Sequence, residues 1–405
     1  MSESTVKVFF ELVKAGLFSH TEITENTEKI SWEGVDWGEV YRLAEEQSVI
    51  GLVSAGLDWF KVNDSRFTVP QAVALQFIGQ TLQIEQRNKA MNAFVAELVT
   101  KLRKADIYAI LVKGQGVAQC YEKPLWRACG DVDLFLSDEN YQKAKDLLLP
   151  LGEVTEPEER AKKHFAMSID GFAVELHGTL HSGLSARVDR GLDEIKKAVF
   201  YDGRVRSWLD GNVQVFLPKA DEDAVYVFNH FLQHFYKGGI GLRQICDWCR
   251  LLWTYRDEID VRLLEQRIKR MGLISEWKAF YALASKYLGM PDLDSGLTDV
   301  ESATPRHSSS KLDSAHGSIA DFMVNDSRFD KKAERIMEFI LEVGNFGHNR
   351  DMSYYGRYPY VVRKAISAWW RVKDLCRHAR IFPLDSLRFS AAIMFNGVRS
   401  TIRGE

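Results

Sequence analysis

Apolar residues in the first hundred positions recur at three- and four-residue spacing, which predicts amphipathic helices. Residues 6–18 carry one such stripe, and good helix formers continue from 37 to 59. After Pro70, a segment with few helix breakers extends to about Lys104. The apolar face of this segment comprises Met91, Phe94, Leu98 and Leu102. We therefore predict an N-terminal helical region over residues 1–104.

The pattern changes after residue 104, where short apolar runs alternate with loops. Residues 107–112 are rich in strand formers, and residues 131–136 alternate between aliphatic and other side chains. Both runs therefore predict short strands. Short helices are predicted after each of them, at 117–121 and 140–149. The order of elements at this point is strand, helix, strand, helix.

A β-hairpin is predicted where two alternating runs, 164–169 and 172–177, flank Asp170-Gly171. Asp-Gly favours the tight turn that joins two antiparallel strands. The hairpin completes a strand-helix-strand-helix-hairpin unit within residues 105–218. We expect an α+β fold in which this small mixed-sheet core is flanked by N- and C-terminal helical regions.

Helical spacing of apolar residues returns after the core. We predict a helical domain over residues 219–290. Residues 291–330 are rich in Ser, Asp, Thr and Gly and offer little to bury, so we predict a flexible loop or linker there. Residues 331–405 are predicted to form a C-terminal helical region with a Gly/Tyr-rich interruption over 344–360.

Composition and charge narrow the class of protein only slightly. The net charge of −3 gives no overall attraction to nucleic acid or anionic membranes. No run of about 18 apolar residues predicts a membrane span, and Met1 to Lys7 lacks the pattern of a secretory signal. The cysteines are odd in number and scattered, which favours a reducing cytoplasm. They are Cys120, Cys129, Cys246, Cys249 and Cys376.

Acidic side chains in the predicted core form the main candidate site. Side chains alternate along a strand, so Asp131 and Asp133 share one face while their aliphatic neighbours share the other. On the second strand of the hairpin, Glu175 and His177 also share a face. Strand pairing would bring Glu175 beside the aspartates. Three carboxylates on one open face suit Mg²⁺ or Mn²⁺.

Asp-x-Asp taken alone is more often structural than functional, because acidic residues are common at strand starts and turns. Its surroundings change this interpretation. A glycine-containing loop precedes the pair, apolar residues flank it, and a third acid follows on a hairpin of suitable pattern. We therefore favour a metal site over a structural role.

Several elements of the chain resemble a known family in order and spacing. They are Lys113-Gly114 after a strand, Arg127, Gly130-Asp131-Val132-Asp133, and Glu175-Leu176-His177. Together they resemble the nucleotidyltransferase superfamily typified by DNA polymerase β, and more closely a bacterial family of uncharacterised nucleotidyltransferases. The resemblance covers roughly residues 35–290. A later helical part of that family has paired histidines and an Arg-x-x-x-Asp motif. The corresponding residues here are His230, His234, Arg243 and Asp247.

The resemblance implies metal-dependent transfer of a nucleoside monophosphate from a nucleoside triphosphate to a hydroxyl group, with release of pyrophosphate. The acceptor would be a small molecule, a sugar, a protein or a nucleic acid. The implied catalytic and metal-binding residues are Asp131, Asp133 and Glu175, with Mg²⁺ or Mn²⁺ as cofactor. The implied nucleotide-binding residues are Lys113, Gly114, Gln115, Gly116, Arg127, Gly130 and His177.

Two departures from the family pattern affect the expected nucleotide contacts. Gln115 and Gly116 stand where many superfamily enzymes have Gly-Ser or Gly-Gly, and the third carboxylate is Glu175 where aspartate is common. Lys113 is interpreted equally well as a phosphate ligand or as a surface cation. For Arg127 the site role is favoured. His177 could orient Glu175 or contact substrate, and a histidine that only satisfies neighbouring hydrogen bonds is an equally good interpretation.

Outside the core, the sequence leaves structural alternatives open. His230 and His234 have zinc-ligand spacing, but no glutamate follows His230, so they are expected to contact nucleotide or to lie in the core. Arg243 and Asp247 are expected to form an ion pair within one helix. The last pattern, residues 369–382, mixes tryptophan with basic residues, and a solvated basic face is favoured over an interfacial or acceptor-binding helix.

Two different classes of function compete with an enzyme. One is a non-catalytic nucleotide-binding module that keeps the fold and serves a partner. The other is an interaction scaffold in an envelope or capsule polysaccharide pathway, in which the helical flanks matter most. Intact carboxylates favour the enzyme, because a site without catalytic function would be free to lose them.

Overall fold

The computed structural model describes residues 2–18, 30–160, 162–291, 293, 322, 326–345 and 357–403. Fourteen α-helices and seven β-strands lie in this described part. The helices are α1 Glu3–Leu17, α2 Trp37–Glu46, α3 Ile50–Asn63, α4 Gln71–Lys104, α5 Gly114–Ala118, α6 Asp138–Leu148, α7 Ala186–Phe200, α8 Ala220–Lys237, α9 Leu242–Thr254, α10 Val261–Met271, α11 Ile274–Leu288, α12 Asp330–Val343, α13 Tyr360–Ala379 and α14 Pro383–Arg403. The strands are β1 Ile110–Val112, β2 Asp131–Phe135, β3 Glu153–Glu159, β4 His164–Ile169, β5 Phe172–His177, β6 Val205–Asp210 and β7 Val213–Pro218.

All seven strands form one mixed sheet in the order β3-β4-β5-β2-β1-β7-β6. Strand β2 pairs in parallel with β5 and antiparallel with β1, so β2 lies at the centre. The α+β class is confirmed. The predicted strands and hairpin are all present, but β3, β6 and β7 were not predicted. The sheet is therefore larger than the sequence pattern indicated.

The two faces of the sheet pack into different cores. One face carries Val132, Leu134, Val174 and Leu176, all fully buried. These residues join a cluster that includes Met91, Leu98 and Leu102 of α4 and Tyr141 and Leu148 of α6. The predicted apolar face of α4 is thus confirmed as the cover of the sheet. The opposite face carries the acidic residues and looks towards α8.

Element boundaries differ from the prediction at three places in the N-terminal half. The segment 37–59 contains two helices, α2 and α3, because the chain turns near Ser48, whose φ is 57°. Strand β1 is shorter than the predicted run 107–112, and α5 begins at Gly114, directly after Lys113, rather than at 117. This shift places the Lys113-Gly114 element at the junction of a strand and a helix.

The C-terminal helices α13 and α14 pack on α8 through aromatic side chains. The ring centroid of Phe235 lies 4.5 Å from that of His378 in α13, and the ring centroid of Tyr236 lies 4.9 Å from that of Phe389 in α14. Trp369 is 68% exposed, so the choice between a solvated and an interfacial face stays open. Most of the predicted linker 291–330, and part of the interruption 344–360, lie outside the described residues.

Within the described chain, every helix is either too short or too polar to cross a lipid bilayer. The five cysteines are free, and Cys246 and Cys249 are buried in α9. Their burial agrees with a packing role for this Cys-x-x-Cys pair.

Candidate active site and metal centre

Strand register brings the three predicted carboxylates together. Asp133 of β2 lies opposite Glu175 of β5, and Asp131 precedes Asp133 by two residues on the same face. One carboxylate oxygen of each of the three lies within 4.8 Å of those of the others. The arrangement follows from strand alternation: the apolar neighbours take the covered face, so the acids must take the other.

The carboxylates outnumber the cations that contact them. Lys113 Nζ lies 2.8 Å from Asp133 Oδ1, and Asp133 is 1% exposed. Asp131 forms no ion pair with any described residue. The charge of Asp133, together with burial, raises the pKa of Asp131 above its ordinary value. Asp133 Oδ2 is buried and has no hydrogen-bond partner among the described residues. The negative charge of the three carboxylates is therefore only partly neutralised by neighbouring cations.

Two histidines lie beside Glu175. His164 Nε2 is 3.1 Å and His177 Nε2 is 3.3 Å from Glu175 Oε2. His177 Nε2 also lies 2.8 Å from Asp133 Oδ1. Burial would raise the pKa of Glu175, but the hydrogen bonds from His164 and His177 hold it well below the ordinary value. Glu175 is therefore ionised and fixed in position. It lies between the two aspartates on one side and the two histidines on the other.

Lys113 occupies a strained backbone position at the end of β1. Its φ of 58° and ψ of −148° lie in a region that favours glycine. Gly114 follows with a φ of 42°. Burial alone would lower the pKa of Lys113, but the charge of Asp133 raises it above the ordinary value, so the ammonium group stays charged. The strained turn places a permanent cation against the carboxylates.

The other residues of the predicted glycine element face away from the acids. The side chain of Gln115 is buried and contacts the sulfur of Met91. A Cβ atom on Gly116 would come within 2.6 Å of Leu217, so glycine here permits close packing of α5 on β7. Gly130 stands directly before β2 in open space. Only the backbone of this element is in a position to contact a ligand.

Arg127 pairs with Asp247 rather than lying free. Its Nη2 lies 2.5 Å and its Nε 3.0 Å from the carboxylate of Asp247, which also accepts a hydrogen bond from Tyr121. The predicted ion pair between Arg243 and Asp247 is wrong in its partner. Arg243 instead donates to the carbonyl oxygen of Ala128, and its Nε is buried without a partner among the described residues.

Helix α8 forms the wall opposite the carboxylates. The cleft between them has a volume of about 300 Å³ and is lined by Lys113, Asp131, Glu175, Tyr226, His230 and His234, among others. Burial, together with the charge of Lys113, lowers the pKa of His234 to about 4 and holds the pKa of His230 well below its ordinary value. Both imidazoles are neutral at pH 7. They line the cleft, which agrees with the expectation of ligand contact rather than core packing.

His164 and Tyr226 are two of the cleft residues that were not identified from the sequence. His164 lies opposite His177 in the hairpin, and this pairing follows directly from a two-residue turn at 170–171. Counting back from the turn would have found His164. Tyr226 lies in the first half of α8, and its position on the cleft depends on how α8 packs on the sheet. No local signal identifies it.

Comparison with known proteins gives one match. A family model described as uncharacterised nucleotidyltransferase matches residues 33–289, which is more than half of the chain. No curated protein and no solved structure gives a match. The matched range contains the carboxylates, both cleft histidine pairs and the Arg127–Asp247 contact.

Proposed function

Because this chain belongs to the family of uncharacterised nucleotidyltransferases, we propose that it transfers a nucleoside monophosphate from a nucleoside triphosphate to a hydroxyl acceptor. Pyrophosphate is the second product. The observation that carries the proposal is the convergence of Asp131, Asp133 and Glu175 on one face of the sheet, beside the cleft, with Lys113 as the one lysine among the described residues that pairs with them. Like charges this close favour a divalent cation between them.

The donor set fits Mg²⁺ or Mn²⁺. Both ions prefer carboxylate oxygen, and both retain sites for water and phosphate oxygen. Asp133 Oδ2, buried without a partner among the described residues, is the donor most in need of a cation. Asp131, Asp133 and Glu175 would hold the metal. When bound, it would neutralise the charge on the phosphates and lower the pKa of the acceptor hydroxyl.

The chain's own residues supply the remaining functions in this proposal. Lys113 is charged and faces the cleft, so it binds a phosphate oxygen while it also contacts Asp133. Glu175 is ionised, and its position suits acceptance of the proton from the acceptor hydroxyl. His177 bridges Asp133 and Glu175 and fixes both carboxylates. Arg127 lies with Lys113, Asp131 and Asp133 around a smaller cavity of about 70 Å³. Its guanidinium adds positive charge there, and Asp247 neutralises part of that charge.

We further propose that the core belongs to the DNA polymerase β-like superfamily, as the order of its elements indicated. A central strand that carries Asp-x-Asp, followed by an acidic residue on the parallel neighbour, supports this assignment. We propose that the activity takes place in the cytoplasm. Nucleoside triphosphates are present there, and its reducing conditions keep cysteines free, as the five cysteines of this chain are.

The proposal is tested by measuring pyrophosphate release and the transfer of labelled nucleotide to an acceptor. The purified chain is incubated with each labelled nucleoside triphosphate, Mg²⁺ or Mn²⁺, and a cell extract as the source of acceptor. We expect label on a defined acceptor. Asp131→Asn should reduce the rate by at least about 10²–10³-fold, because a carboxylate that would hold the metal beside the transferred phosphate is lost. Asp210→Asn, a carboxylate at the end of β6 on the same sheet, is the matched control.

Two outcomes would overturn the proposal. If label transfer occurs at the same rate in Asp131→Asn, the carboxylates are not catalytic. If nucleotide binds with Mn²⁺ and this binding survives Asp133→Ala without any transfer, the chain is a nucleotide-binding module. The scaffold hypothesis predicts loss of partner binding on truncation of residues 331–405, with pyrophosphate release unaffected.

A further inference from the structure

A second set of metal ligands lies next to the three carboxylates. His164, Glu175 and His177 each present one ligand atom, and these atoms lie within 4.8 Å of one another. The two imidazole nitrogens approach the same carboxylate oxygen, Glu175 Oε2, at 3.1 and 3.3 Å. Glu175 is therefore shared between an all-oxygen set and a set with two nitrogens.

The distances fit a small tetrahedral ion. Ligand atoms bound at about 2.0–2.1 Å in a tetrahedron stand about 3.3–3.4 Å apart. The two measured nitrogen–oxygen separations lie within about 0.3 Å of that value. Two histidines and one glutamate are also a donor set that proteins use for zinc with one position left open. Imidazole nitrogen selects against Mg²⁺ and Ca²⁺.

The surroundings favour a cation and leave room for a further ligand. Lys113 is the only lysine or arginine within ion-pair distance of the three carboxylates among the described residues. The three side chains are 12–29% exposed, so an ion has access from solvent. The cleft of about 300 Å³ adjoins them and holds the open position. If Nε2 of His177 binds the ion, Asp133 Oδ1 keeps its contact with Lys113.

We propose that His164, Glu175 and His177 bind a transition-metal ion of the zinc type, distinct from the Mg²⁺ or Mn²⁺ held by the aspartates. Glu175 bridges the two positions. Any contribution of this ion to transfer rests on the proposed function, since it would lie on the side of Glu175 where the acceptor oxygen gains charge. The binding itself does not depend on nucleotide.

Cobalt provides the test, because Co²⁺ replaces Zn²⁺ and absorbs visible light with high intensity only in four-coordinate sites. The full chain is freed of metal with a chelator and titrated with Co²⁺ in the absence of nucleotide. We expect one saturating equivalent with intense visible bands, and Zn²⁺ should remove them. Absence of these bands would overturn the proposal.

Variants assign the ligands. His164→Ala should weaken Co²⁺ binding by more than the roughly 10–100-fold that loss of an outer-shell partner costs. His181→Ala is the matched control, because His181 lines the same cleft but pairs with Asp193. His164→Cys should retain Co²⁺ and add a thiolate-to-cobalt charge-transfer band. Unchanged affinity in His164→Ala, or no such band in His164→Cys, would show that His164 is only a hydrogen-bond partner.

Asp131→Asn separates this proposal from the proposed function. It should retain the Co²⁺ spectrum while it loses metal-dependent pyrophosphate release. If the wild-type chain binds Co²⁺ but shows no transfer activity, the proposed function is overturned and the proposed metal site stands. If the wild-type chain shows transfer activity but does not bind Co²⁺, the proposed metal site is overturned and the proposed function stands.

Discussion

Two groups of three acids in this molecule differ in how far neighbouring cations neutralise them. The α8 cluster consists of Asp221, Glu222 and Asp223 in the first turn of α8, with Arg204, Arg206 and Arg267. The strand cluster consists of Asp131, Asp133 and Glu175, with Lys113. Each contains three carboxylates, and only the cations differ in number.

In the α8 cluster, every acid contacts at least one guanidinium group. Arg204 lies 2.6 Å from Asp221 and 2.5 Å from Glu222, and Arg206 lies 2.5 Å from Asp223. The N-terminus of α8 adds its own partial positive charge. The strand cluster has one ammonium group and two imidazoles in place of three guanidinium groups. Acids that are paired with guanidinium groups, as in the α8 cluster, stabilise the fold. Acids with too few cations around them, as in the strand cluster, can bind a metal ion.

The largest effect is expected from loss of a guanidinium group in the α8 cluster. Arg206→Met leaves Asp223, 1% exposed, without its only ion-pair partner in the described chain. An uncompensated buried charge costs roughly 3–5 kcal/mol of unfolding free energy, measured by urea denaturation. Adding Asp223→Asn should recover most of it, and Mg²⁺ should recover none. Rescue by Mg²⁺ would mean that both clusters take cations.

A buried acid with no guanidinium partner extends the comparison to pH. Glu276 is fully buried and faces Tyr236 of α8, Asp385 of α14 and Lys332 of α12. Burial, with the charge of Asp385, raises the pKa of Glu276 from 4.5 to about 8. Its contribution to stability is complete below pH 4.5 and is lost as pH rises through about 8.

Unfolding free energy should therefore fall between these pH values, by up to about 1.4 kcal/mol per pH unit from this group alone. Glu276→Gln should flatten the slope in urea denaturation series at several pH values. An equal slope in the wild type and in Glu276→Gln would place the pH dependence elsewhere.

Metal addition should affect the strand cluster alone. With Mn²⁺ at about one hundred times its dissociation constant, binding stabilises the folded chain by about 2.7 kcal/mol and raises the midpoint of thermal unfolding. Asp131→Asn should lose this increase, while Asp210→Asn keeps it. A wild-type chain whose thermal midpoint ignores Mn²⁺ would remove the strongest support for the cluster as a cation site.

The smallest effect concerns the same carboxylates without metal. The pKa of Asp131 is raised by the charge of Asp133 and by burial, so ionised Asp131 destabilises the metal-free fold at pH 7. Asp131→Asn should therefore gain roughly 0.5–1 kcal/mol in chelator-treated protein, in contrast to its loss of activity. A loss of stability would indicate an ordinary structural aspartate.

The sequence was sufficient for the parts of the fold that local pattern determines. The hairpin β4–β5, the Asp131–Asp133 face and the stripe on α4 all follow from alternation or helical spacing. Strand β3 could not be recognised, since Glu153–Glu159 is mostly acidic, lies at the exposed edge, and depends on pairing with β4. Likewise, the contact between Arg127 and Asp247 joins residues 120 positions apart and has no local signal.

The turn at Asp170-Gly171 has a consequence for sequence change. The hairpin pairs His164 with His177 and Ala166 with Glu175. The length of the turn determines this register, and therefore whether the two histidines lie opposite each other. One residue inserted in this turn would shift the partner strand and send His164 to the opposite surface. Relatives with a longer turn should therefore have lost the imidazole pair even where both histidines survive. Loop length, more than residue identity, is the quantity to compare among them.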